Sequence, residues 1–173
     1  EILDYYSDGG FTHGCSVDHI IFDFVDDEKV NDLSSERAAE NNNRFEITLR
    51  NAEEFLQLSQ RMGNHFTPLG VVQGWSPKSM AKAAGRLVRM GYNYLAVGGM
   101  VPLQSPQIMA ALSSIRSAVG DEVRLHVLGF AKAEEISSFG KFNITSFDST
   151  SPLLRSFKDS RRNYYDFNEG DGI

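Results

Sequence analysis

Apolar residues in this chain cluster in short runs, each closed by glycine or a polar side chain and most followed by a stretch with helical spacing. His19 to Phe24 predicts a strand ending near Asp23, and Pro68 to Gly74 a strand that stays apolar until Gln73. Tyr94 to Met100 closes on Gly98-Gly99, and Arg124 to Phe130 on Leu128-Gly129-Phe130. The fifth run, Ile144 to Phe147, is brief and delivers Asp148 at its end.

Between these runs the period changes. Ser76-Pro77, Ser105-Pro106 and Ser151-Pro152 each pair an N-cap residue with proline at the first helical position, where its missing N–H costs nothing. Met80, Ala84, Leu87 and Val88 make one apolar stripe and Ile108, Leu112, Ile115 and Val119 another, stopped by Gly91 and Gly120. Asn51 to Met62 predicts a helix with Asn51 and Glu54 at capping-box spacing and Gly63 as its stop. Ala133 to Phe139 predicts a short amphipathic helix, and Pro152 to about Arg162 the last one. Residues 29–46 are polar, carry no assignable period, and are long enough for a functional loop. The opening Glu1-Ile-Leu-Asp-Tyr-Tyr has the pattern of mid-helix, which implies a missing beginning.

Strands alternating with helices predict an α/β fold with a parallel sheet. No G-x-G-x-x-G follows a strand, and polar or glycine endings recur, so a (β/α)8 TIM-type barrel is favoured over an open doubly wound sheet. A barrel needs eight strands, and the pattern supplies the last five strand–helix units. Residues 1–162 are therefore expected to be the C-terminal part of a barrel completed by an N-terminal segment or a partner chain, with 163–173 a tail or linker.

Composition narrows the function classes. With 173 residues and 41% hydrophobic content the chain can build a substantial core, and its net charge of −6 argues against a broadly basic nucleic-acid surface. A single cysteine, Cys15, rules out an intramolecular disulfide and a cysteine-rich zinc site. His13, His19, His65 and His126 form no ligand spacing and read as structural residues, so neither metal nor cofactor is expected. No run spans a bilayer and no secretion signal opens the chain, so a cytoplasmic protein is expected. Lys78, Lys82, Arg86 and Arg89 share one side of a helix and read as its solvated face.

The chemistry concentrates at the strand ends. Ligands of parallel α/β folds gather beyond the carboxyl ends of the strands, so Asp148 faces either a substrate or the next helix's N–H groups. Asp23, between Phe22 and Phe24, is expected to be partly buried. Arg155, Lys158, and Arg161 or Arg162 recur at helical spacing beside Asp148, a placement suited to phosphate contacts.

Val72-Gln73-Gly74, Val97-Gly98-Gly99-Met100, Leu128-Gly129, Phe147-Asp148 and Phe22-Asp23 together resemble, in order, motifs of the tRNA-guanine transglycosylase superfamily. The resemblance spans about residues 16–162 and implies exchange of guanine in nucleic acid for a 7-deazaguanine. Asp148 would be the nucleophile that bonds the sugar; Asp23, Gln73, Gly98, Gly99, Met100, Leu128 and Gly129 would bind the base; Arg155, Lys158, Arg161 and Arg162 would hold the nucleic-acid backbone. After Asp148 the chain reads Ser149-Thr150-Ser151-Pro152-Leu153-Leu154-Arg155 where the family has Val-x-Pro-Thr-Arg, which is more like its DNA-modifying branch. The family's zinc cysteines and early Asp-Ser-Gly-Gly-Phe motif are absent, since Asp8-Gly9-Gly10-Phe11 lies too close to Asp23. Two other readings stand beside this one: a non-catalytic, nucleic-acid-binding partner of the same fold, and a barrel glycosidase or lyase using Asp23 and Asp148 as a carboxylate pair.

Overall fold

A computed structural model describes residues 1–63, 65–129 and 136–158. The elements are α1 (Ile2–Asp8), β1 (His13–Cys15), a 3-10 turn (Asp27–Asp32), α2 (Ser35–Arg61), β2 (Thr67–Val72) and α3 (Pro77–Met90). They continue as β3 (Tyr94–Val97), α4 (Ser105–Val119), β4 (Arg124–Val127), α5 (Ile136–Phe139), a second 3-10 turn (Gly140–Phe142), β5 (Ser146–Phe147) and α6 (Ser151–Lys158).

All four strand pairings are parallel and the sheet order is β1-β2-β3-β4-β5, the order of the sequence. A doubly wound sheet reverses its order at a switch point; a barrel does not. The curled five-stranded sheet with its helices is a partial (β/α) barrel, as the pattern of runs predicts.

Strand alternation divides the core in two. Val72, Leu95, Val97, Leu125 and Val127 pack outward against Met80, Ala84 and Leu87 of α3 and Ile108, Leu112 and Ile115 of α4. Each such fully buried side chain contributes about 1.5–3 kcal/mol of burial free energy. The opposite set, Leu69, Val71, Tyr94 and Ala96, with Cys15 and Leu128 against it, forms the inner lining. By the same parity Gln73, Gly98, His126, Ser146 and Asp148 fall on the inner side.

Two expectations are corrected. The first strand is His13–Cys15, registered against Thr67–Leu69, and the apolar run 19–24 is not a strand. Ile20 and Phe22 are exposed, Phe22 at 78%, because the run is a connection pinned by single bonds: His19 N–H to Thr48 Oγ1 (2.9 Å), Val25 N–H to Trp75 O (2.9 Å), and Arg44 Nη1 to Ile20 O (2.9 Å). The second correction is that residues 35–61 form one helix, with Ser34 accepting from Arg37 N–H at its start and Asn51 in mid-helix. Its inner stripe runs Asn41, Phe45, Thr48, Leu49, Ala52, Phe55, Leu56, Ser59, so polar residues occupy buried positions where an apolar pattern was sought.

Smaller boundary differences follow the caps. Ser76 begins α3 in a reciprocal capping box with Ser79, while α4 is capped by Gln104, one residue before the expected Ser105. The basic side of α3 is solvated as expected, with Lys78, Lys82 and Arg89 exposed; Arg86 Nη1 pairs with both oxygens of Glu46 on α2 (2.7 and 2.9 Å), and Lys82 lies over the Phe45 ring. Among the described residues no helix is long and apolar enough to cross a membrane.

Candidate active site

Asp148 stands one residue beyond β5, its N–H still directed at Val127 O (3.4 Å), so the sheet itself aims the carboxylate past the strand ends. Its Oδ1 accepts from Gly129 N–H (3.0 Å) and lies 3.1 Å from His126 Nε2. Gly129 has φ +65°, a conformation open to glycine, and that turn points its N–H at the carboxylate. The Asp148 side chain remains 53% exposed, against 18% for His126. It is a carboxylate fixed on one oxygen and open on the other side.

His126 is held at both nitrogens. Its Nδ1 is 2.7 Å from Ser146 Oγ, directly across the β4–β5 pair, and Ser146 Oγ is 2.5 Å from the hydroxyl of buried Tyr94. The Tyr94 ring is in turn covered by the Arg124 guanidinium at 4.4 Å.

Gln73, 3% exposed at the end of β2, donates from Nε2 to Asp18 Oδ2 (2.7 Å) and accepts the Ile21 N–H on Oε1 (3.4 Å). Both ends of the amide are thus committed, which fixes which atom points where. Gly98 makes room for it: a Cβ there would lie 2.6 Å from Gln73 Nε2. The neighbouring Gly99 has φ +74°, and Met100 behind it is buried in the outer core. The Cys15 thiol is pushed up from 9.0 to about 11 by burial first and then by the charges of Asp18 and Asp148. It is protonated at neutral pH and does not compete as a nucleophile.

The structure therefore gathers Gln73, Gly98, Gly99, Leu128, Gly129 and Asp148 at one rim of the inner face. Asp23 does not join them by any hydrogen bond described. Its Oδ2 accepts from Asn41 Nδ2 (3.0 Å) and its Oδ1 is 3.5 Å from Arg37 Nη1, both on α2, leaving it 22% exposed. The partial burial expected of Asp23 holds, and donors accompany it. Lys158 is exposed on α6; the Arg155 side chain, Arg161, Arg162 and the tail 163–173 lie outside the described residues.

Two residues of the site escaped the sequence reading. Asp18 precedes the apolar run 19–24 and carries no strand-end signal, yet it is the carboxylate that touches Gln73. His126 was read as structural; its inward parity two residues before Leu128 was the signal that could have found it. Among the described residues no three His, Cys, Asp or Glu side chains converge as metal ligands.

A parallel, sequentially ordered partial barrel with a half-exposed carboxylate and an oriented amide at the carboxyl-end rim has the frame of the α/β-barrel enzymes. No family model matches the chain. It is, however, similar to a DNA-guanine transglycosylase of Salmonella montevideo, 39% identical over 165 residues, a match covering 95% of this chain and 39% of that relative. The chain thus spans about two fifths of the relative's length. That likeness supports the resemblance of the strand-end motifs to the guanine transglycosylase superfamily.

Proposed function

We propose that this chain carries the nucleophile and the base-reading rim of an enzyme that exchanges guanine in DNA for a 7-deazaguanine. The observation that carries the reading is the Asp148 carboxylate, half-exposed beyond β5 and held through Oδ1 alone among its described bonds. Breaking an N-glycosidic bond builds positive charge at C1′, and a carboxylate beneath it stabilises that charge and then bonds the carbon. The C1′–N9 electron pair leaves with guanine, which takes a proton from water or a donor, and the covalent sugar then accepts the incoming base by the reverse step.

Exchange requires one pocket to accept two bases in turn. A 7-deazaguanine keeps guanine's Watson–Crick edge, so edge contacts by Asp18, Gln73 and the Gly98–Gly99–Met100 backbone serve both, with Leu128 against a ring face. Asp23 braces the loop that carries Asp18 and Ile21. The base must leave its stack to enter, at a cost of about a few kcal/mol, and Lys158, with Arg155, Arg161 and Arg162, would grip the flanking phosphates. DNA is favoured over tRNA because the relative is named for DNA.

The test is labelled-guanine exchange into DNA and tRNA in parallel, with trapping of a covalent protein–nucleic-acid adduct on denaturing gels. Asp148→Asn in the full polypeptide should abolish both adduct and exchange while leaving the thermal transition in place. Undiminished exchange in that variant would remove the nucleophile assignment, and labelling of tRNA alone would remove DNA as the substrate.

A further inference from the structure

We propose that His126 is the positioning residue of the nucleophile, donating from Nε2 to Asp148 Oδ1 so that Oδ2 is the oxygen presented to the sugar; this rests on the reading of Asp148 given above. Among the described residues both donors to Asp148, Gly129 N–H at 3.0 Å and His126 Nε2 at 3.1 Å, converge on the same oxygen. A carboxylate held by two donors on one oxygen loses rotation about its last bond and keeps the other oxygen's lone pairs free. Attack at C1′ needs that preorganisation, because a freely turning carboxylate spends much of its time with neither lone pair aligned.

The direction of the hydrogen bonds gives His126 its tautomer. The Tyr94 hydroxyl and the Ser146 hydroxyl can both donate along the series Tyr94 to Ser146 to His126 Nδ1, each filling the acceptor of the next. With Nδ1 accepting, a neutral imidazole carries its proton on Nε2, where it meets the carboxylate. The ring cannot turn over without breaking both of its bonds, and its 18% exposure separates it from an ordinary surface pair, which contributes little. The placement is built into the sheet: His126 is registered against Ser146 on one side and Ala96 on the other. Alanine at 96 leaves room on the inner face for the imidazole between Tyr94 and the rim.

In the covalent step the Oδ2 lone pair forms the bond to C1′ while the C1′–N9 pair departs with the purine, which is protonated from water; His126 keeps its own proton throughout. Its contribution is to the geometry of the attacking group, so it belongs in the rate of adduct formation and not in the affinity for DNA or for the free base.

Two amide substitutions separate this role from packing. In His126→Gln the side-chain nitrogen reaches the place of Nε2 and keeps the donation to Asp148; in His126→Asn the amide reaches only the place of Nδ1, where its oxygen keeps accepting from Ser146. In the full polypeptide, adduct formation should fall about 10- to 100-fold in the Asn variant, the size of one charge-assisted hydrogen bond, and at most about 3-fold in the Gln variant. KM for DNA and for the base should stay within about 2-fold in both, as expected for an interaction acting on the chemical step alone. Equal losses in the two variants, or a loss carried by KM, would overturn the positioning role. So would unchanged adduct formation in the Asn variant. Asp148→Asn run alongside keeps the two ideas apart: adduct surviving in that variant sinks the nucleophile reading itself, whereas adduct lost there but untouched in His126→Asn sinks only the present inference.

Discussion

Gly98→Ala is the sharpest probe of how the rim proposed to read the base is assembled. Gly98 does not have a left-handed backbone, so alanine is conformationally allowed and only space decides the outcome. The added methyl would stand 2.6 Å from Gln73 Nε2 and 3.4 Å from Gln73 Cδ and Val72 O. The amide must retreat by roughly 1 Å to reach ordinary contact, which stretches its 2.7 Å bond to Asp18 past the hydrogen-bonding limit. A buried amide donor left unsatisfied costs about 1–3 kcal/mol. Denaturant unfolding of the full polypeptide should show that loss for Gly98→Ala, and guanine exchange should fall with it. With Gln73→Ala already in place the clash has no partner, so adding Gly98→Ala should cost less than about 0.5 kcal/mol, a coupling only neighbours show. Equal penalties in the two backgrounds would refute the placement of Gln73 against Gly98.

Two further outcomes follow from the same inner face. Because burial and the carboxylates of Asp18 and Asp148 raise the Cys15 thiol from 9.0 to about 11, iodoacetamide at pH 8 should modify it about 100-fold more slowly than a free thiol. The folded state holds this proton more tightly than the unfolded chain, so the linked stability, of order 2 kcal/mol, is present below pH 9 and lost as pH rises toward 11; Cys15→Ala should flatten that part of the pH–stability curve, and an unaltered slope would count against the burial described. Asp18→Ala should lower exchange more than Asp23→Ala, whereas Asp23→Ala should lower the melting temperature more, since it strands the buried Asn41 amide; the opposite ranking would return base reading to Asp23.

The sequence pattern made the barrel legible because strand ends and helix caps are local devices. Ser76-Pro77 and Gly91 bound α3 by themselves, and β3 with the second half of β2 is buried on both faces, which is why those runs read as unbroken, whereas β4 alternates, with Arg124 exposed and Leu125 and Val127 buried. The first strand was missed because His13-Gly14-Cys15 has no apolar run to show; it is a strand by pairing with Thr67–Leu69, and that partner lies more than fifty residues away. Ile20, Ile21 and Phe22 imitate a strand but only Ile21 is buried. The first half of α2 was hidden for a related reason. Asn41 and Thr48 occupy its inner stripe because they bond Asp23 and the His19 N–H of the loop, so the residues that secure the site erase the apolar period that would have announced the helix. Asp148 could be found from its place after a strand, whereas Asp18 and His126 depended on which way their side chains turn across the sheet.

The proposed exchange must also reconcile a chain of net charge −6 with a polyanionic substrate. Asp18 and Asp148 both raise the Cys15 thiol, so the two negative charges act on the same part of the inner hollow of the sheet. In the proposed reaction such charges would favour a sugar on which positive charge is growing and oppose the entry of phosphates. The grip on the backbone must therefore lie outside the hollow. On the basic side of α3, Arg86 is engaged by Glu46 and Lys82 lies over Phe45, and that helix follows β2 and not Asp148. Lys158, exposed on the helix that follows Asp148, is a cation assigned to that grip in the proposal. Cations confined to that edge would draw one nucleotide inward while holding its neighbours at the surface, which is the geometry that exchange of a single base demands.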